Sequence, residues 1–222
     1  MRRKAAALLL AALAACAGLE PLDPETARAL GELPRPEGPF VRAWVLLEIE
    51  SPSFSGRFEG VLLGRSGPEP AVRAQFFPDV GGKALDLSVR PDRIAARLPA
   101  TGESLLMRLP GEARPHPVAF LGASLLERFA APIPERVRGV RRENGETWLV
   151  FEGAARGVCV EVLVPGGTRR RFSWMRGVRW EERDVPGGSV EIEAPRLRAR
   201  GEVLKTGRLE RVPEGVFDEA PG

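Results

Sequence analysis

The chain has 222 residues, with 33 Lys and Arg against 30 Asp and Glu, one His and two Cys. Three of the cations, Arg2, Arg3 and Lys4, stand in the first 15 residues with no acid beside them, so the remainder is formally neutral and offers no global field for a polyanion such as nucleic acid. One His and two thiols exclude the usual zinc ligand sets and a multi-disulfide framework, and no other residue pattern calls for a cofactor.

Residues 1–15 read as a leader. The three cations precede an apolar run from Ala5 to Ala15, and Cys16 follows in Leu13-Ala14-Ala15-Cys16. This is the layout of a secretory signal. The run is too short to span a bilayer, which takes about 20 apolar residues. Leu13–Cys16 resembles the lipobox of bacterial lipoproteins. That resemblance implies cleavage before Cys16, diacylglycerol on its thiol and an acyl chain such as palmitate on the new amine. Residues 16–22 then read as a lipidated tether and 23–222 as one β-rich domain.

Asp23-Pro24-Glu25 predicts a helix start, with Asp as N-cap and Pro at the first helical position. Ala27, Leu30 and Leu33 can share its apolar face. From Phe40 the period becomes two. Val41, Ala43, Val45, Leu47 and Ile49 alternate with Arg42, Trp44, Leu46 and Glu48. Further strands are expected at Gly56–Arg65, Val72–Phe77, Leu85–Val89, Arg93–Leu98 and Ser104–Leu109. Their spacing predicts an antiparallel meander. Pro117–Ala130 breaks the rhythm: Val118, Leu121, Gly122, Leu125 and Phe129 follow helical spacing, with Glu127 and Arg128 off the stripe. This apolar helix is expected to pack on the sheet. Strands resume with Val137–Arg142 and Thr147–Phe151 about an Asn144-Gly145 hairpin turn. Val158–Val164, Arg169–Met175, Gly177–Arg183, Val190–Glu193 and Arg196–Leu204 follow. The tail from Leu209 is Pro-rich and reads as extended.

Little of this sequence carries chemistry. His116 lies between two prolines and reads as an exposed turn residue. Cys159, in Val158-Cys159-Val160, reads as a buried strand thiol that behaves as a small hydrophobe. Glu48/Glu50 and Glu191/Glu193 each share a strand face, a pattern that solvated faces also show. Gly81-Gly82-Lys83 lacks the earlier glycine and the following Ser/Thr of a phosphate loop. The concentrated basic-aromatic segment is Arg169-Arg170-Arg171-Phe172-Ser173-Trp174, with Arg179-Trp180 beyond it. Two readings stay open. In one, Phe172 and Trp174 face inward with arginines at the strand margins. In the other, Arg169, Arg170, Arg171, Trp174 and Trp180 form an interfacial patch for anionic lipid.

Three stretches resemble the outer-membrane lipoprotein carrier and receptor group, with its LolA/LolB-like fold. Phe54–Val61 is similar to that group's early Gly-Arg-hydrophobic strand. The strands Val72–Phe77, Leu85–Val89 and Arg93–Leu98 resemble its meander. Val212–Phe217 with Pro221-Gly222 resembles its C-terminal ending. The resemblance implies an α+β, mostly β fold: a strongly curved antiparallel sheet, an unclosed half-barrel, with an N-terminal and a central helix covering its concave face. It further implies non-enzymatic binding of lipid or lipoprotein acyl chains, for transport or outer-membrane assembly. The concave candidates are Val45, Leu47, Phe58, Leu62, Phe76, Leu85 and Leu87, with Leu121, Leu125 and Phe129 from the helix. The expected location is the periplasmic face of the outer membrane, held by lipid on Cys16, with envelope proteins as possible partners. The competing reading is a structural adaptor without a cavity. An open void of roughly 300 Å³, the size of an ordinary ligand pocket, favours the binder. The group's receptors carry a protruding apolar loop, whereas the candidate turn here, Ser66-Gly67-Pro68-Glu69-Pro70, is polar.

Overall fold

The computed structural model describes residues 18–33, 38–52, 54–99, 101–109, 116–130, 136–174, 178–186 and 188–217. Helix α1 spans Pro24–Glu32 and α2 spans Pro117–Phe129. The first strands are β1 (Phe40–Glu50), β2 (Ser55–Arg65), β3 (Ala71–Pro78), β4 (Leu85–Arg90), β5 (Arg93–Leu98) and β6 (Glu103–Arg108). After α2 come β7 (Val137–Glu143), β8 (Glu146–Glu152), β9 (Val158–Val164), β10 (Arg169–Trp174), β11 (Arg179–Val185), β12 (Ser189–Ala194) and β13 (Leu197–Leu209). Cys16 and Pro221-Gly222 lie outside the described residues.

The strands form one open, curved antiparallel sheet in the order β6-β5-β4-β3-β2-β1-β13-β12-β11-β10-β9-β8-β7. Every neighbouring pair is a sequential hairpin except β1–β13. The sheet is therefore two meanders joined by one long-range ladder, which runs from Phe40↔Leu209 to Glu50↔Arg198. A register shift between Trp44 and Val45 leaves Leu204 unpaired, a bulge in β13. Asn144 and Gly145 both take positive φ, 53° and 79°, as the tight β7–β8 hairpin requires.

This topology explains α2. Strands β6 and β7 are the two edges, so the chain between them must cross the whole sheet, and α2 makes the crossing on the concave side. It is buried from Pro117 to Glu127, on every side rather than along one stripe. Glu127, expected off the apolar stripe, is thus buried as well. His116 is not a free turn residue: its Nδ1 accepts from Val118 N at 3.3 Å and caps the helix. Gly122 lets Val89 and Ile94 approach, and a Cβ there would meet their side chains at 3.2–3.3 Å. Helix α1 starts as predicted, with Thr26 N donating to Asp23 Oδ1 at 2.8 Å. Its inner face is Thr26, Ala29, Leu30 and Leu33, while Ala27 is exposed.

Alternation sorts the strands cleanly. Val45, Leu47 and Ile49, Phe58 and Leu62, Val72 and Phe76, and Leu85 and Leu87 all point into one core with α2. Val158, Val160 and Val162 face inward too, which puts Cys159 on the outer face, half-buried rather than in the core. Two expectations fall short at the C-terminal end. Strand β13 runs on to Leu209, and the tail folds back. Phe217 is buried and stacks on Phe40 at 6.4 Å. Its carbonyl accepts from Ser88 Oγ and the Arg90 guanidinium at 3.2–3.3 Å.

Candidate functional site

The concavity is almost filled. A cavity of about 50 Å³ remains between α2 and the central ladder. Its apolar lining comes from β1 (Val45, Leu47), β3 (Phe76), α2 (Leu121, Leu125, Phe129) and β12–β13 (Val190, Ile192, Val203). Six of the ten predicted concave residues therefore meet at one seam. Phe58, Leu62, Leu85 and Leu87 do not line it; they are buried in the adjoining core. The volume is far below the roughly 300 Å³ of a preformed ligand pocket.

α2 is held unequally on its two flanks. Toward β2 the fit is tight: a Cβ on Gly64 would lie 2.3 Å from the Phe129 carbonyl oxygen. Toward β12 and β13 the helix meets the cavity, and Val203 is 38% exposed beside it.

The polar end of the seam is ionic. Arg128, at the helix C-terminus, donates to Glu182 Oε2 at 3.1 Å and Asp184 Oδ1 at 2.9 Å. Burial works against its charge, but Glu182 and Asp184 outweigh it and hold the guanidinium above its ordinary pKa. The adjacent Glu127 accepts from Arg136 Nη1 and Nη2, at 3.2 and 2.9 Å, and also from the Ala154 amide. These pairs fasten the end of α2 to the β7–β11 half of the sheet. Ser124 adds a buried bond, accepting from Trp180 Nε1 at 3.1 Å.

The basic-aromatic segment divides between the two faces. Arg170, Phe172 and Trp174 point inward, and Trp180 joins them from β11. Phe172 and Trp180 stack at 4.8 Å, and Phe120 of α2 lies 5.2 Å from Trp180. Neither Trp reaches the surface, so the interfacial patch expected from these five residues is not formed. Arg169 and Arg171 are on the outer face, but each is paired. Arg169 donates to Glu146 and Glu181 at 2.8 and 2.9 Å, and Arg171 to Glu143 at 3.0 Å. Both guanidinium groups also lie over Trp148, at 5.3 and 3.8 Å from its ring, and leave that outer-face indole fully buried.

The acidic pairs seen in the sequence are neutralised by register. Glu48 faces Arg57 and Arg200, and Glu191 faces Arg200 and Arg183. A groove of about 760 Å³ runs along these rows, lined by Glu50, Glu193 and Arg198 as well. Its interleaved charges give no single sign for a ligand to match. Among the described residues no three His, Cys, Asp or Glu are grouped to hold a metal ion, and no helix is long and apolar enough to cross a membrane. Among the described residues the most exposed large apolar side chain is Val80, at 89% in the β3–β4 connection.

Neither a protein-family model nor a curated protein matches the sequence. Solved structures do match the fold. A DUF1329 family protein from Desulfovibrio piger superposes with a TM-score of 0.52 at 11% identity, over 86% of this chain and 93% of that one. A LolA superfamily protein from Nitrosomonas europaea gives 0.51 at 10% identity, over 86% and 96%. At 10–11% identity the likeness is one of fold, and this chain has the LolA/LolB-like fold.

Proposed function

We propose that this protein is a lipid-anchored envelope protein that holds an acyl chain, of a lipid or of a lipoprotein, between α2 and the β1/β13/β12 wall. In this reading residues 1–15 are removed, Cys16 carries the anchor and residues 23–222 are the binding domain at the periplasmic face of the outer membrane. The reading needs no catalytic group, only apolar surface, whose burial stabilises by about 25 cal/mol per Å².

The observation that carries it is the seam. It is apolar, it lies on the loose flank of α2, and it ends in a polar cluster. In this reading the cavity of about 50 Å³ is that of a closed form. An acyl chain enters by moving α2 away from β12 and β13 while the Gly64 and Gly122 contacts stay. The filled concavity is also the observation that favours the competing reading, a structural adaptor of an envelope complex.

Native mass spectrometry on the chain carrying Cys16→Ala, followed by lipid extraction, separates the two. A stoichiometric acyl lipid, absent from a folded Leu125→Glu variant, supports the carrier. A clean apo mass with no uptake of added fatty acid or acylated peptide supports the adaptor.

A further inference from the structure

The inner face of β10 and β11 holds two buried charged side chains, each with a polar atom that the ion-pair clamp on α2 leaves unused. Arg170 and Glu182 occupy facing register positions. Their cross-strand neighbours are Val162 and Ile192, both buried. Arg170 is 8% exposed and Glu182 is 1% exposed. Among the described residues Arg170 Nε and Glu182 Oε1 have no hydrogen-bond partner. Glu182 spends only its Oε2 on Arg128. An unmade hydrogen bond on a buried ion is costly, so these two atoms have bonding capacity to offer a ligand.

Their position gives them a use. Glu182 lines the polar end of the apolar cavity, together with Arg128 and Ser124. Arg170 lines a void of about 10 Å³ on the other flank of the helix end, with Glu127 and Arg136. An acyl chain lying in the seam therefore brings its head to Glu182, and Arg170, the register partner of Glu182 on β10, is the next buried charge beyond it. The charges decide which head fits. Arg128, Arg136 and Arg170 balance Glu127, Glu182 and Asp184, so the cluster is already neutral. An anionic head adds an unpaired charge to a buried site. A neutral head carrying both a carbonyl and a donor adds none, and it can accept from Arg170 while donating to Glu182.

We infer that the Arg170–Glu182 pair is a headgroup site selective for neutral esters or amides bearing a hydroxyl or N–H, such as a glyceryl ester, over fatty-acid carboxylates. This rests on the acyl-binding reading and assigns that same seam its head specificity.

The test is a competition for the full chain carrying Cys16→Ser, followed by quenching of Trp fluorescence, between 1-monopalmitoylglycerol and palmitate. The expected result is a preference of about ten-fold or more for the glyceryl ester, the scale of one unmade bond to a buried ion. Glu182→Gln removes one negative charge and is expected to shift the preference toward palmitate. Arg170→Met is expected to weaken the ester. Circular dichroism reports whether each variant is folded, and the wild-type comparison needs neither. Equal binding of both ligands, or a preference for palmitate in the wild type, overturns the head specificity and leaves the acyl-binding reading standing. Failure of both to bind overturns that reading and this one with it.

Discussion

Gly64→Ala tests whether the tight flank of α2 is what the packing indicates. The added Cβ would lie 2.3 Å from the Phe129 carbonyl oxygen and 3.0 Å from its carbon. Both are backbone atoms at the end of the helix, so no rotamer change relieves the contact. Relief to an ordinary separation needs a shift of about 1 Å, which the ion pairs of Glu127 and Arg128 resist. Overpacking of this kind costs about 1–3 kcal/mol, and a backbone obstacle belongs at the upper end. The lower entropy of the unfolded alanine chain offsets about 0.5 kcal/mol of it. The net expectation is a loss of about 2 kcal/mol in urea unfolding, with an unchanged m-value. Gly31→Ala is the reference, because a Cβ at that α1 position meets nothing within 4 Å. It should stabilise by about 0.5–1 kcal/mol. A Gly64→Ala protein as stable as wild type would refute the docking geometry, and with it the idea that α2 pivots on this side.

Other substitutions separate packing from surface function. The Arg169→Glu/Arg171→Glu double variant should lose stability, because it uncovers Trp148 and sets like charges against Glu143, Glu146 and Glu181. Its binding to anionic vesicles, measured by sedimentation, should change by less than about two-fold, since paired guanidinium groups over a buried ring add little attraction. Arg196 sits at φ 62° in the β12–β13 turn, so Arg196→Gly should stabilise by about 1 kcal/mol in the same urea assay. Burial pushes the Glu181 carboxyl up, but hydrogen bonds from Arg169 and Arg183 outweigh it and hold its pKa below the usual 4.5. The stability it contributes is therefore full above that ordinary value and is lost as pH falls through the lowered one. Glu181→Gln should flatten the acid limb of a stability profile below about pH 4.5 and leave the neutral plateau's slope unchanged.

Local pattern carried most of the architecture. Each strand announced itself by alternation, each turn by Gly, Pro or Asn-Gly, and both helix starts by a proline at the first position. The β1–β13 ladder had no such mark, because the pairing of Phe40 with Leu209 depends on distance closed by the whole fold. The long-range ladder also explains why β13 outruns its own pattern. Beyond Leu204 its backbone is satisfied by β1, so Lys205, Thr206 and Arg208 stay in strand without an apolar alternation. Burial around α2 was hidden for a related reason. A helix enclosed by a concave sheet buries its polar flank, so Glu127 reads as solvated in a helical wheel and is buried in the fold. At the site, parity was the available signal. Arg170 shares a face with Phe172 and Trp174, and Glu182 with Trp180, so the same alternation that places the aromatic residues inside places these two charged residues there too. The patch reading failed because it treated adjacent residues as neighbours in space, whereas a strand sends them to opposite faces.

The seam lies on the one junction that is not a hairpin, and this bears on how it opens. Val45, Leu47, Gly201 and Val203 line it, and all belong to the β1–β13 ladder. Gly201 contributes no side chain to the packing, and the Leu204 bulge interrupts the hydrogen bonds two residues from Glu202. Residues 202–206 are exposed although their strand is central in the sheet. A central strand that is thinly covered, bulged and glycine-bearing should open at lower free energy than β3 or β4, whose residues from 71 to 74 and 85 to 89 are buried on both faces. Amide hydrogen exchange reads this directly. The amides of residues 202–206 should exchange faster than those of Ala74 and Leu87, and a bound acyl ligand should slow the first group while leaving the second unchanged. Equal protection in both strands would mean that the ladder is rigid, and an acyl chain would then have to enter by displacing α2 alone. Ligand protection confined to β13, β12 and the last turn of α2 would instead place the moving parts at the junction of the two meanders, where a small change in the angle between them widens the apolar wall without breaking any hairpin.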